Sequence, residues 1–320
     1  MIADLALQNL SSPPVLFFVI GAGASLARSD LAVPDQVARL LSLYLMMSIG
    51  YRGGLEIAHH GASGLLLGAI AAGVLLSFAM PFLAERMLRV LSPLGVADRA
   101  AVAGHYGSIS AVTLAAVLAA ASQLGIAADG FMVAVAAAME TPAILACLLL
   151  AGGGTRGGIG GRRLLREVFL NGSVVVLIGA LAVGALARGP AAAGVKPFLV
   201  DLFPGFLCLF LLEMGLIAGR GLRDSRSLAP GLVVFALIMP PIGAALGAAL
   251  GLALGLSAGN LAVLMTLAAS ASYIAVPAAL RIALPQANLA VALTMSIGIT
   301  FPFNLLIGIP LYTAAAGALR

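Results

Sequence analysis

The sequence predicts an all-α integral membrane protein of about ten transmembrane helices, arranged as a five-plus-five inverted-topology repeat whose fourth and ninth helices are broken. Three observations carry this. Hydrophobic residues make up 62% of the 320 and charged residues 9%, at a mean hydropathy of +1.14, whereas a soluble domain carries roughly a quarter charged residues. Apolar stretches of about 20 residues, the length that spans a bilayer, recur along the whole chain. Three motifs of the first half also return in the second, in the same order. A chain this apolar cannot cover its own surface in water, so its first partner is the lipid bilayer.

Helices are expected near 12–28, 36–51, 61–84, 100–123, 130–150, 167–187, 198–219, 229–254, 260–283 and 288–316. Breaks are expected at Pro34, Asp35, Ser92-Pro93, Asp98, Gly189-Pro190, Lys196-Pro197 and Ala229-Pro230. The chain divides into a first repeat (1–150), a flexible linker (151–166) containing G-G-G-T-R-G-G-I-G-G-R-R, and a second repeat (167–320). Near the start, Asp4 stands where a cleaved signal peptide carries basic residues. The first apolar segment is therefore expected to remain as a helix.

The net charge of +5 does not point to nucleic acid. Basic residues sit singly in short loops, without interleaved aromatics, and read as topology determinants. Loops after odd-numbered helices hold Arg28, Arg39, Arg86, Arg89, Arg99, Arg156, Arg162, Arg163, Arg166, Arg220, Arg223, Arg226 and Arg281, thirteen in all. The opposite side holds four: Arg52, Arg188, Lys196 and Arg320. The bias predicts both termini outside and the linker in the cytoplasm.

The repeat is visible in the residues. L-Y-L-M-M-S-I-G-Y-R-G-G-L around Gly50 returns as L-F-L-L-E-M-G-L-I-A-G-R-G-L around Gly215, at an offset of 165. S-I-S-A-V-T (108–113) pairs with S-Y-I-A-V-P (272–277) at 164, and M-E-T-P-A-I (139–144) with I-T-F-P-F-N (299–304) at 160. Five helices per half is an odd number, so the second half crosses in the opposite sense. Inverted repeats of this kind are common in secondary transporters, with the site at the midplane between them. Broken helices belong there because freed backbone groups are tolerated in a bilayer only where they line a cavity or bind a ligand.

Candidate site residues follow. The fourth helix carries Gly107, Ser108, Ser110 and Thr113 in mid-span, and the ninth carries Ser270, Ser272 and Tyr273 ahead of Pro277. Proline removes a donor and clashes with the preceding turn, which predicts a break near 273–277. Two half-helix N-termini meeting there would present N–H groups and positive dipole ends to a small anion substrate. The alternative is that these hydroxyls pack between helices and bond carbonyls one turn back. Glu140 lies in an apolar run just before Thr141 and Pro142. A carboxylate at that depth is a functional candidate by default, as a ligand for a coupling sodium or as a proton carrier; a helix cap near the surface is the other reading. Thr300, Pro302 and Asn304 occupy the matching place in the second repeat and offer neutral oxygens for a second ion or for packing. Pro142 and Pro302, like Gly107 and Pro277, mark expected breaks. Glu213, two residues before Gly215, is either a structural ion-pair partner or a site-lining group.

Other features carry less. Glu56, His59 and His60 lie near a helix end with Arg52, but adjacent histidines do not face one way, and a transition-metal site needs three or four converging ligands. Cys147 and Cys208 sit in apolar runs as small hydrophobes. His105 is a packing residue or a proton carrier. Nucleotide-binding, serine-hydrolase and zinc-protease motifs are absent. An intramembrane enzyme would have only Glu140, Glu213 and His105 to work with, so no enzyme is expected. A membrane receptor or scaffold remains as the non-transport alternative.

At L-M-M-S-I-G-Y-R-G-G (45–54), G-H-Y-G-S-I-S-A-V-T (104–113), M-E-T-P-A-I (139–144) and A-A-S-A-S-Y-I-A-V-P-A-A-L-R (268–281) the chain resembles the sodium-dependent bicarbonate transporter family. L-P-Q-A-N (284–288) and I-G-I-P-L-Y (307–312) extend the resemblance over nearly the whole length. It implies a five-plus-five inverted repeat, a homotrimer, bicarbonate bound where the broken helices cross beside transported sodium, and a PII-like cytoplasmic regulator. Ser110, Thr113, Ser270, Ser272, Pro277 and Arg281 match the family's motifs. The chain departs from them at Tyr273, where the family has an aspartate, and at Ala275 and Val112, where it has serines. Glu140 replaces an aspartate, Ala278 and Ala279 replace a proline and a threonine, and the long cytoplasmic insertion is cut to the glycine–arginine linker. The resemblance implies alternating-access symport of a small anion, bicarbonate first, with another small organic anion under a sodium or proton gradient as the alternative.

Overall fold

The computed structural model describes residues 11–60, 64–151, 172–187, 189–224, 228–273 and 275–320. Apart from Ala151, the expected linker lies outside them. Every regular element among the described residues is helical. The first half runs α1 (Pro13–Leu26), α2 (Asp35–His60), α3 (Gly64–Leu91), α4 (Val96–Gly107), α5 (Ala111–Gln123), α6 (Met132–Ala138) and α7 (Glu140–Leu150). The second runs α8 (Gly172–Leu186), α9 (Gly189–Lys196), α10 (Phe203–Asp224), α11 (Pro230–Ala253), α12 (Ala258–Ala268), α13 (Ala275–Ala283), α14 (Leu289–Met295) and α15 (Ile309–Leu319).

Among the described residues, six segments are long and apolar enough to cross a membrane: Gly64–Leu91, Val96–Gln123, Met132–Leu150, Ala192–Arg223, Pro230–Ala253 and Leu289–Leu319. Pro13–Leu26, Val175–Leu186 and Ala258–Ala268 are apolar but shorter. The expected breaks at Ser92-Pro93 and Ala229-Pro230 fall between helices. Elsewhere the sequence placed boundaries wrongly, for reasons the packing explains. Helix α2 continues past residue 51 to His60. Gly53-Gly54 does not end it, because Gly54 is where α2 crosses α8 and a Cβ there would collide with the Leu181 carbonyl. Lys196-Pro197 is no break either, since a π turn (Pro197–Asp201) joins α9 towards α10. The wider turn suits a residue that cannot donate, and Tyr44 and Ser48 of α2 donate their hydroxyls to its Phe198 and Leu199 carbonyls. Pro302 likewise fails to break its helix. Leu289–Leu319 is continuous, with π turns at Ser296–Thr300 and Asn304–Gly308 on either side of the single turn Phe301–Phe303.

Packing separates the helices into two sets. Helix α1 lies along α10, and α2 lies along α8. Gly21 and Gly215 let the first pair touch backbone to backbone, and Gly54 and Gly184 do the same for the second. Small residues at crossings are how apolar helices associate where lipid is as apolar as the partner. In the other set α3 packs on α4, α6 and α7, α11 packs on α12, and α15 packs on α12. The broken segments lie innermost: every residue of α12 from Gly259 to Ala268 is buried, and so are Val112–Val117 of α5. Helices α3 and α11 shield them and expose Leu67, Leu75, Phe78, Val234 and Ile238 on an apolar outer surface.

Candidate substrate and ion site

The two interrupted segments meet at their interruptions. Helix α4 ends at Gly107, residues 108–110 are non-helical, and α5 starts with Ser110 as its N-cap, whose side chain accepts the Thr113 N–H (3.1 Å). A Cβ at Gly107 would run into the Pro81 ring of α3, so only glycine lets α4 end this close. In the second segment α12 ends at Ala268 and α13 starts at Ala275; the Ser272 side chain accepts the Val276 N–H at 3.4 Å. Two bonds tie the interruptions together. Ser272 donates its N–H to the His105 carbonyl (2.8 Å), and Ser110 donates its N–H to the Ser270 hydroxyl (3.2 Å). Ser270 in turn donates back to the Leu267 carbonyl (2.7 Å).

A cavity with room for about one water molecule opens at this junction. Its lining includes Ser110, Ala111, Ser272, Tyr273, Ala275 and Glu140. Ala111 and Ala275 are the first residues of α5 and α13, so both helix N-termini reach the same cavity. Each brings unsatisfied N–H groups and the positive end of its dipole. The Tyr273 hydroxyl lies beside the Ser110 side chain but meets no protein partner in hydrogen-bonding geometry. Its ring packs edge-on against Phe301, with centroids 5.8 Å apart.

Glu140 enters from a third segment. Helix α6 stops at Ala138, Met139 makes the turn, and Glu140 opens α7. The residue is 4% exposed, and its Oε2 has no hydrogen-bond partner. Pro142 lacks an N–H, so the Ala138 carbonyl is denied its usual helical donor. A buried carboxylate is an oxygen ligand of the kind a hard cation takes. The helix-cap reading expects a carboxylate near the surface; Glu140 is instead buried on the cavity wall, and no side chain makes a cap bond at the start of α7.

The model describing the Na+-dependent bicarbonate transporter superfamily matches residues 13–317. The chain belongs to this superfamily. No curated protein matches it. Membership makes the chain a multi-pass membrane protein of a transporter family, with sodium as the cation that family depends on.

Within this superfamily member the remaining predicted residues fall in different places. Thr113 is buried in the first turn of α5, and its N–H is capped by Ser110. Ser108 is buried, with a hydroxyl that has no partner, and does not line the cavity. Thr141 is half-buried and also off the cavity. Thr300 and Asn304 are not among the residues lining Glu140's cavity, and their polar atoms are engaged. Thr300 donates to the Ala236 carbonyl (2.9 Å) and shares a hydrogen bond with Tyr106 (2.6 Å). Asn304 donates to the Ala269 carbonyl (2.7 Å) and accepts from Tyr312 (3.3 Å). Pro142 and Pro277 each occupy the first turn after a break rather than the break itself. Glu213 of α10 is buried, at 8% exposed.

Sequence reasoning missed three contributors. Ser77 of α3 donates its hydroxyl to the Met139 carbonyl and accepts the Ala143 N–H (3.1 Å). Its only signal was a lone serine four residues before Pro81 in an apolar run. Asn260 and Asp129 bond reciprocally: Asp129 donates its N–H to Asn260 Oδ1 and Asn260 donates to the Asp129 carboxylate, both at 2.7 Å. That pair ties the start of α12 to the turn before α6, an alignment no local motif announces.

Proposed function

We propose that this superfamily member is a symporter that takes up a small anion, bicarbonate first, together with sodium, by alternating access in a bacterial inner membrane. One observation carries the reading: two helix N-termini and a buried carboxylate share one small cavity at the crossing of two interrupted helices. The anion belongs against the N–H groups and hydroxyls of Ser110, Ser272 and Tyr273. Sodium belongs beside Glu140, where its charge offsets both the carboxylate and the incoming anion.

The ten-crossing inverted repeat is part of the proposal. The helical segments pair off in order between the halves, with interrupted helices at the matching place in each. Gly21 answers Gly184, and Gly50 answers Gly215, at crossings that exchange partners between halves. Polar contacts join connections that the proposal puts on the same side. Arg223 donates to the Ser25 carbonyl (2.8 Å), and Asp98 accepts the Asn288 N–H (2.7 Å), among connections assigned to the cytoplasm. Asn260 with Asp129, and Arg320 donating to the Leu252 carbonyl (3.1 Å), join connections assigned outside, where both termini belong. A homotrimer and a PII-like regulator complete the proposal on the strength of the resemblance alone.

The decisive experiment is uptake of labelled bicarbonate into proteoliposomes, with and without an inward sodium gradient. Sodium-stimulated accumulation is the expected result. Folded protein that accumulates none would remove bicarbonate, and a screen of small carboxylates under sodium and proton gradients would follow. The Tyr273 ring in the cavity wall is the feature that favours that second reading, since it reshapes the space an anion must fill.

A further inference from the structure

The hydrogen bonding around Ser77 is unusual for a helix interior. Residue 143 of a regular helix donates its N–H to the carbonyl of residue 139. Here the Ser77 hydroxyl of α3 also bonds both groups, accepting from Ala143 and donating to Met139. The turn it clamps to α3 is the one that carries Glu140, on the cavity side of the α6–α7 break. Ser77 is completely buried, so no water competes for either bond. Pro81, four residues on, cannot bond the Ser77 carbonyl, and the same stretch of α3 receives Gly107 at the end of α4. Ser77 therefore touches both the carboxylate's turn and the first interrupted helix.

We infer that Ser77 is a positioning residue for cation coupling: its hydroxyl pins the 139–143 turn to α3 so that Glu140 faces the cavity. The inference rests on the proposed role of Glu140. Without the hydroxyl, the turn loses both of its bonds to α3, and the carboxylate it carries is free to shift. Removing the partner that orients a cation ligand costs roughly 10- to 100-fold in cation affinity.

The test is sodium-activated anion uptake by the wild type, Ser77→Ala, Ser77→Thr and Glu140→Gln in proteoliposomes, with detergent-solubilised protein checked for a monodisperse peak. Ser77→Ala is expected to raise the sodium concentration for half-activation about tenfold, leaving the anion KM at saturating sodium near the wild-type value. Ser77→Thr, which keeps the hydroxyl, is expected to restore most of the sodium affinity. An unchanged sodium response in Ser77→Ala, or a loss of rate with no sodium shift, would overturn the inference while leaving Glu140 in place if Glu140→Gln does shift it. If Glu140→Gln leaves sodium dependence unchanged, the underlying reading fails instead. Should Ser77→Ala not fold, Ser77→Thr decides: misfolding there too, or a sodium affinity tenfold off, would overturn the positioning role.

Discussion

The two interrupted segments cross at one point, yet they use their hydroxyls differently. In the first, the gap is three residues (108–110), and Ser110 does two jobs, capping its own helix and giving its N–H to the opposite segment. In the second, the described gap is longer (269–273), and the jobs are split between two serines. Ser270 is saturated by the Leu267 carbonyl and the Ser110 N–H, while Ser272 caps Val276 and lines the cavity. The longer gap also has an external brace, Asn304 holding the Ala269 carbonyl. The shorter gap is braced through Tyr106 and Thr300 just before it. The comparison separates hydroxyls that hold the crossing together from hydroxyls that face what binds there. Being serine in a matched motif does not decide which is which; the partners do.

Substitutions can break that division. The largest effect is expected from a bulky side chain at a cavity-facing cap. Ser110→Leu and Ser272→Leu fill a space of about one water molecule and should reduce uptake to background with expression intact, as measured by transport alongside surface-labelled protein. Normal transport in either would remove the site assignment. Next comes Tyr273→Phe, which keeps the ring against Phe301 and deletes only a hydroxyl with no protein partner. If that hydroxyl contacts the anion, its loss costs about 1.5 kcal/mol, or roughly tenfold in anion KM, with thermal stability unchanged. A normal KM would show that Tyr273 shapes the cavity without touching the substrate. Ser270→Ala should show the opposite pattern. It strands the buried Ser110 N–H at a cost of about 1–3 kcal/mol, read as a lower melting temperature in detergent, with a smaller change in anion KM than Tyr273→Phe gives.

Much of this was legible in the sequence, because the bilayer enforces helices and leaves few other choices. The apolar runs located nearly every segment, and the matched motifs at 108–113 and 272–277 located the crossing. What the sequence could not show was which prolines break. Pro277 follows a gap, whereas Pro302 and Pro197 sit at π turns in helices that continue. The difference lies in the packing around each turn, as where Tyr44 and Ser48 of α2 hold the Phe198 and Leu199 carbonyls just after Pro197, and that is a tertiary fact. Glu140 was legible because a carboxylate stands out in an apolar run. Ser77 was not, because one serine in a long helix looks like any other until its two partners on another helix are seen. Thr300 and Asn304 were singled out by type and spacing, but hydrogen bonds to Tyr106 and Ala269 now occupy them.

The smallest expected effect sharpens the comparison most. Ser108 sits in the first gap, is 1% exposed, and has a hydroxyl with no hydrogen-bond partner. A buried hydroxyl without a partner is a cost to the fold, so Ser108→Ala should leave stability unchanged or raise it slightly. Because the side chain lies off the cavity, uptake and anion KM should also match the wild type. The measurement is the same uptake assay, run beside a thermal melt. A stabilised protein with normal transport would confine the anion's contacts to the caps at Ser110 and Ser272. A stabilised protein that transports poorly would mean that the hydroxyl is held unsatisfied for a partner that arrives only during the cycle. Ser108 would then join the binding residues in a second conformation, and the division between bracing and binding hydroxyls would hold for one state of the crossing rather than for both.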